Sequence, residues 1–512
     1  MRKYLPLMLI SVALFGAGCK KNADALLEAK SGDKAYHAGQ QLNTLSPGTT
    51  YYIDPAGADT SSGTSELTPW QSLAKVNATT FNPGDRILFK CGGTWSGQLR
   101  PLGSGASGSP IIIDKYGTGN KPVINGPGTK SSAGLLLYNQ EYWEINNLEI
   151  SNYSSAGGIS IRGILVTNTN LTVPKNHVYI RNCYIHNVNS DYSASGVPKI
   201  TGGVILYGYF DDVTVRDCYV KDCATEGLRT YPYGSGATRS TNIKFIRNTV
   251  ENIYGDGIVL NTVYQALADS NIVHNACMDD VNNFAGCWTF NSIGSVISHN
   301  EVYGLTGGLN DGEAFDADTD VDGDIYEYNY SHDNNKGFML FMPNAKNVIV
   351  RYNISANDVL GGTKLIDFKP TGTSNNIYNN VFYITNNITN VFEHAFHGNF
   401  KNNVLNASGT VTNFSESAMN SGSVLNNNCF YPTTALTTNW NTGSHSSNVF
   451  SSPAFVSPSS YSMGLASAAA FKLSSASPCK TAGVVITNNG GIDYFGIALS
   501  TTTNPDIGAI KY

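Results

Sequence analysis

A β-solenoid, a stack of short strands wound into coils, is the fold class this sequence predicts. Three observations predict it. From about Trp143 to Phe430 one phrase recurs: a β-branched or aromatic alternation, an Asn or Asp, then a second hydrophobic pair. Examples are VYIRNCYI at 178–185, VTVRDCYV at 213–220 and IKFIRNTV at 243–250. Asn or Asp stands at or near the equivalent turn at Asn147, Asn182, Asp217, Asn248, Asn271, Asn300, Asn329, Asn353, Asn380, Asn403 and Asn427. A period of roughly 20–35 residues built from short strands is the signature of stacked repeats. Composition agrees: charged residues are 14% and glycines number 52 of 512, which suits many tight turns and disfavours a helical or disordered chain.

A chain of this length exceeds an ordinary single domain, but coils that contact only their neighbours escape that limit. The formal charge of −6 leaves no basic footprint, so nucleic acid is not an expected partner, and a monomer is expected. Arg2 and Lys3 precede an apolar run from Leu5 to Phe15, then Gly16-Ala17-Gly18-Cys19. That order reads as a secretory signal over residues 1–18, too short to span a membrane. Cys19 after small residues resembles a lipoprotein lipobox, with Gly16 where Leu is usual. The resemblance implies acylation of Cys19, a polar tether over 19–48, and attachment to the outer membrane or cell surface by that lipid alone.

Taken in order, residues 51–54 start the folded part, and Thr68 to Val76 predicts a short capping helix with Thr68 as N-cap and Pro69 in its first turn. Strands follow at Gly84–Lys90 and Ile111–Asp114. The helix would close the open end of a solenoid whose coils, cap included, occupy 49–430. Residues 431–512, less periodic and rich in Ser and Thr, predict further C-terminal coils and a cap with a last strand near Pro505–Ile510. Cys183 and Cys218 share a register in consecutive coils, bonded or simply stacked; no cysteine spacing reads as a zinc site.

The opening WQSLAKV at 70–76, PGDRILFK at 83–90 and WSGQL at 95–99, with DGEAFDAD at 311–318, YNYSHDN at 328–334 and DIGA at 506–509, resembles secreted Bacteroidetes right-handed parallel β-helix proteins of the pectate-lyase-like superfamily. The resemblance implies an all-β, right-handed parallel β-helix and a carbohydrate-active enzyme. Both glycoside hydrolases and polysaccharide lyases use this fold, the β-helix hydrolases that include fucosidases and xylanases among them.

One strand per coil can be laid over the next: 204–207, 228–231, 258–261, 287–290, 315–318, 338–341, 366–369 and 392–395. Side chains alternate across a strand, and the first and third positions are mostly apolar, so they face the core. The second and fourth then point to solvent, giving Ile205, Arg229, Val259, Trp288, Asp316, Met339, Asp367, Glu393 and Tyr207, Tyr231, Asn261, Phe290, Asp318, Phe341, Lys369, Ala395. Such a stripe suits sugar, whose C–H faces stack on rings. Trp288, Arg229, Tyr231, Asn261, Phe290, Phe341, Lys369 and Tyr207 are the expected substrate contacts.

Asp316 and Asp318 are the leading catalytic pair, with Asp367 third and Glu313 at the start of the same coil. Glycoside hydrolysis needs one carboxylic acid and one carboxylate, roughly 5–5.5 Å apart for retention and 6.5–9.5 Å for inversion. Crowding raises one pKa and supplies the proton donor. Asp367 two coils on would lie roughly 10 Å from Asp316, a spacing that leans toward inversion. The expected function is hydrolysis of a plant or algal type polysaccharide or its oligosaccharides, with no cofactor required. One alternative is β-elimination on a uronate polymer, with Arg229 or Lys369 as base and Ca²⁺ assisting. Another is noncatalytic glycan binding. Asp318, Asp320 and Asp322 match the start of a calcium loop, but Asn329 stands where Glu should. His332, His186 and His274 recur at equivalent turns, which favours structural roles.

Overall fold

The computed structural model describes residues 48–189, 198–279, 283–369, 374–432 and 444–512. The signal, Cys19 and nearly all of the tether lie outside the described residues. Each coil contributes three strands, as in Gly202–Tyr207, Phe210–Arg216 and Tyr219–Cys223. Coil pairs with coil in parallel, Val204 opposite Leu228, Val213 opposite Ile243 and Val220 opposite Val250. The first two strand columns merge into one 26-stranded sheet and the third forms a 13-stranded sheet. Alternation places Val204, Leu228, Ile258, Cys287, Phe315, Ile366 and Phe392 in one continuous buried core.

The turn between the second and third strands is two residues long, and each residue has its own job. The first takes a left-handed backbone, φ 51° at Asn182, 55° at Asp217, 52° at Arg247, 57° at Tyr328 and 56° at Asn427. The second is turned inward, and from Asn248 on it is asparagine: Asn248, Asn271, Asn300, Asn329, Asn353, Asn380, Asn403 and Asn428 form a buried ladder that ends on the half-buried Asn448. The sequence reading merged the two columns, since Asn147, Asn182, Asp217 and Asn427 belong to the first. In the earlier coils Cys183 and Cys218 occupy the ladder column, buried with free thiols, and the Cys218 N–H already donates to Asn248 Oδ1 at 3.0 Å.

Both ends differ from expectation. The capping helix spans Leu73–Asn77 with Ser72 as N-cap, because Trp70 exchanges backbone bonds with Tyr52 and Asp54 and is held out of the helix. Its Leu73 and Val76 do enter the core. Residues 444–512 carry one short strand, Ser444–Ser446, then 3-10 turns at Pro458–Ser460 and Leu465–Phe471, and no strand at 505–510. They run back along the outside of the coils, where Phe471, Leu473, Tyr494 and Ile507 bury Tyr330, Tyr352, Ile354, Tyr383 and Val404. Tyr330 Oη donates to Ser462 O at 3.1 Å and Tyr378 Oη to Asn488 O at 2.9 Å.

Candidate active site

The first strand column carries the site on its outer face. Backbone register sets Ile205 beside Arg229, Arg229 beside Val259, then Trp288, Asp316, Leu340, Asp367 and Glu393 in one line. The predicted line is correct except at one coil. Phe338 pairs through its N–H with Leu365 and accepts from Phe315, so the strand begins a residue later, at Met339. Leu340 and Met342 therefore face outward, and Met339 and Phe341 face in. Phe341 is no substrate contact: it is fully buried in the core and stacked on Phe368 at 4.6 Å. The line also differs from expectation in being covered. Loops leave Arg229, Trp288 and Asp316 almost no exposure, while Tyr231, Phe290 and Asp318 in the neighbouring line stay half-buried.

A cavity of about 390 Å³ opens there, and Arg229, Tyr231, Asn261, Trp288, Phe290, Asp316 and Asp318 line it together with Lys199, Phe284, Asp311 and Met342. Tyr207, Lys369, Glu313 and Asp367 are not in its lining. Tyr207 packs on Tyr233, rings 4.9 Å apart. Asp367 is fully buried, with Oδ2 taking bonds from Lys364 and Lys369 at 2.7 Å each and Oδ1 from His394 at 2.8 Å. Burial would raise its pKa, yet the two lysines outweigh that and hold it low. Glu313, also fully buried, faces Lys364 at 3.1 Å; burial pushes it up to about 7 against that pull.

Asp316 is in the opposite state. It is buried, no partner reaches its Oδ1, and burial, then the charges of Asp318, Glu313, Asp311 and Asp256, drive its pKa well above the carboxylate range. Asp318 is raised by burial against bonds to Oδ1 from the Thr319 N–H and hydroxyl. Asp311, on a preceding loop, is raised by burial against Lys364 and Lys369. Burial and mutual repulsion thus favour a proton on one of these acids beside a second carboxylate, the arrangement that acid–base chemistry on a glycosidic oxygen requires.

A row outside the aligned columns lies under the cavity: Glu226, which the sequence reading missed, and Asp256, which it placed only in a preceding turn, each followed by glycine at the same register. A Cβ at Gly257 would sit 2.4 Å from Gly286 O, so only glycine lets these coils close with the acids tucked at the corner. Asp256 is fully buried. Its Oδ1 accepts from Ala285 N and Trp288 Nε1, both at 2.8 Å, and its Oδ2 from Lys199 and Arg229, both at 3.0 Å. Arg229 also reaches Glu226 at 3.0 Å, and burial lifts Glu226 to about 8 despite it. The acid–glycine doublets were the available signal; Lys199, Phe284 and Asp311 sit on loops outside the repeat and gave none.

The calcium-loop acids do not converge. Asp320 accepts from Asn344 at 3.3 Å, and Asp322 from Asn347 at 2.8 Å while facing Lys346 at 3.5 Å. Among the described residues no three His, Cys, Asp or Glu side chains gather closely enough to hold a metal. His332 stacks between Tyr303 and Tyr330 at 4.8 and 4.6 Å and bonds Asp333 and Glu301 at 2.9 and 3.2 Å, on the third strand column away from the cavity.

The fold is a right-handed parallel β-helix, and residues 123–302 match the family described as right handed beta helix region. The chain is 28% identical to the lacto-N-biosidase of Bifidobacterium longum subsp. longum over 79% of its own length, and spans only about a third of that relative, 32%. The crystal structure of the GH136 lacto-N-biosidase from Eubacterium ramulus superposes with a TM-score of 0.54 at 23% identity. The match covers 71% of this chain and 65% of that one.

Proposed function

We propose that the chain is a glycoside hydrolase that cleaves oligosaccharides at the Asp311–Asp316–Asp318 cavity. One observation carries the reading: a buried aspartate, Asp316, with an unpartnered oxygen and a strongly raised pKa lines the same cavity as Asp318 and the Trp288 ring. Asp316 donates the proton to the leaving oxygen. Asp318, steadied by Thr319, supplies the carboxylate that activates water or attacks the anomeric carbon, and burial, with the charges of Asp318, Glu313 and Asp311, favours the proton on Asp316. Trp288, Tyr231 and Phe290 offer faces to the sugar ring. Similarity to lacto-N-biosidases supports this class, and a lacto-N-biose-terminated oligosaccharide is the first substrate to try, ahead of plant and algal polysaccharides.

Elimination is the weaker reading because its machinery is already engaged. Both cations lining the cavity are paired, Arg229 with Glu226 and Asp256, Lys199 with Asp256. The surplus aspartates repel a uronate chain. Digestion of a glycan panel with mass analysis decides: new reducing ends without absorbance near 235 nm support hydrolysis, and an unsaturated uronate product would overturn it. Turnover should follow a bell-shaped pH profile, falling at low pH as Asp318 takes up a proton and at high pH as Asp316 loses its own, since the base must be ionised and the donor protonated; a pH–rate profile with no basic limb assignable to Asp316 would remove it as the acid. The same reading places the enzyme outside the cytoplasm, held by a lipid on Cys19. Metabolic labelling with radioactive palmitate should mark the wild type and not Cys19→Ala.

A further inference from the structure

We infer that Asp256, which no sugar need touch, is a positioning residue that fixes the orientation of the Trp288 platform and of Arg229. The inference rests on the hydrolase reading above for its meaning, but its geometry stands alone. Four donors from three separate segments meet on one carboxylate: the Trp288 indole N–H and the Ala285 N–H on one oxygen, the Lys199 ammonium and the Arg229 guanidinium on the other. Lys199 comes from the loop before Thr201 and lies 5.1 Å over the Trp288 ring and 4.3 Å over that of Phe284. Arg229 lies 5.3 Å over the same indole from two coils earlier. Two cations thus lie over the ring and a hydrogen bond tethers its edge, and all three groups end on Asp256.

An indole held this way has lost its rotamer freedom before substrate arrives, so the sugar need not order it on binding. Asp256 sits at the edge of the ring and offsets part of the positive charge of the two cations. Charge-assisted bonds of this kind are the ones whose loss is costly. An amide cannot replace the carboxylate. If its oxygen keeps the Trp288 and Ala285 bonds, its NH2 meets Lys199 and Arg229 donor against donor, and a flipped amide loses the other pair.

The test uses the full chain, with p-nitrophenyl lacto-N-bioside as substrate and acrylamide as a quencher of Trp288 fluorescence, read as the difference between each protein and its Trp288→Phe version. Asp256→Asn should raise KM by about 10–100-fold with kcat changed by no more than about threefold, the pattern of lost uniform binding. Acrylamide should also quench Trp288 several-fold more strongly. Asp256→Asn/Trp288→Phe should bind no worse than the poorer single variant, because the two act as one unit. If Asp256→Asn does not fold, Lys199→Ala removes one arm from a part-exposed position and should give the same two signs at about 3–10-fold.

Unchanged quenching in the folded variant overturns the proposal. So does a fall in kcat at constant KM, or an additive double variant. A wild-type chain inert toward every glycan would instead sink the hydrolase reading, and the quenching measurement would still decide whether Asp256 holds the indole.

Discussion

Asp316→Asn is expected to abolish turnover, by about 10²–10⁴-fold, while the β-helix stays folded and sugar still binds. The amide matches the carboxylic acid in shape and cannot deliver a proton. It also removes a charge the site resists. Asp316 has a folded pKa raised above its unfolded value, so between the two the folded state holds a proton that the unfolded state has released. Stability from this group is therefore present at low pH and lost as pH rises through that window. The variant should melt above the wild type at pH 7, and the gap should close toward pH 4. Normal turnover in Asp316→Asn would take Asp316 out of the mechanism. A lower melting temperature at pH 7 would mean that its burial costs nothing.

The largest effect on stability should come from Asn329→Ala, in the middle of the ladder. Asn329 donates to Ile297 O at 2.8 Å and Asn353 Oδ1 at 2.9 Å, and accepts from the Asn300 backbone at 2.9 Å and the Asn300 side chain at 3.0 Å. Alanine leaves all four partners short of a bond in a place water does not reach. The expected loss is about 3–5 kcal/mol in denaturant unfolding. Because coils hold only their neighbours, the break should also split one transition into two. A loss below about 1 kcal/mol with a single transition would make the ladder dispensable.

The fold and most of the outward stripe were readable because the strand period is two and the first and third positions of most coils are apolar. Reading failed where that contrast fails. Residues 338–342 are Phe, Met, Leu, Phe and Met, so alternation says nothing about which of them faces in, and the strand laid at 338–341 falls one place early. The two turn columns blurred for a similar reason: Asn suits a left-handed residue as well as a buried bonded one, and Asn379-Asn380 and Asn402-Asn403 fill both. Asp316 and Asp318 were recoverable from strand parity alone. Asp367 shares that parity, but its neutralisation by Lys364, Lys369 and His394 depends on loop and coil-to-coil geometry that no single strand records. Glu226 and Asp256 stand before the glycines that precede the strands at 228–231 and 258–261, outside the aligned columns, so strand parity does not reach them.

The two-residue turn carrying the ladder has a consequence for how such a chain can change over generations. Ladder partners lie 20 to 29 residues apart, so whole coils tolerate lengthening, yet none of it falls at that turn, where one added residue would throw every later asparagine out of line. Insertions are confined to the other corners, and Lys199, Phe284 and Asp311 all sit on segments of that kind. New specificities can therefore be tried at the mouth of the cavity while the spine that keeps the coils in step is left untouched.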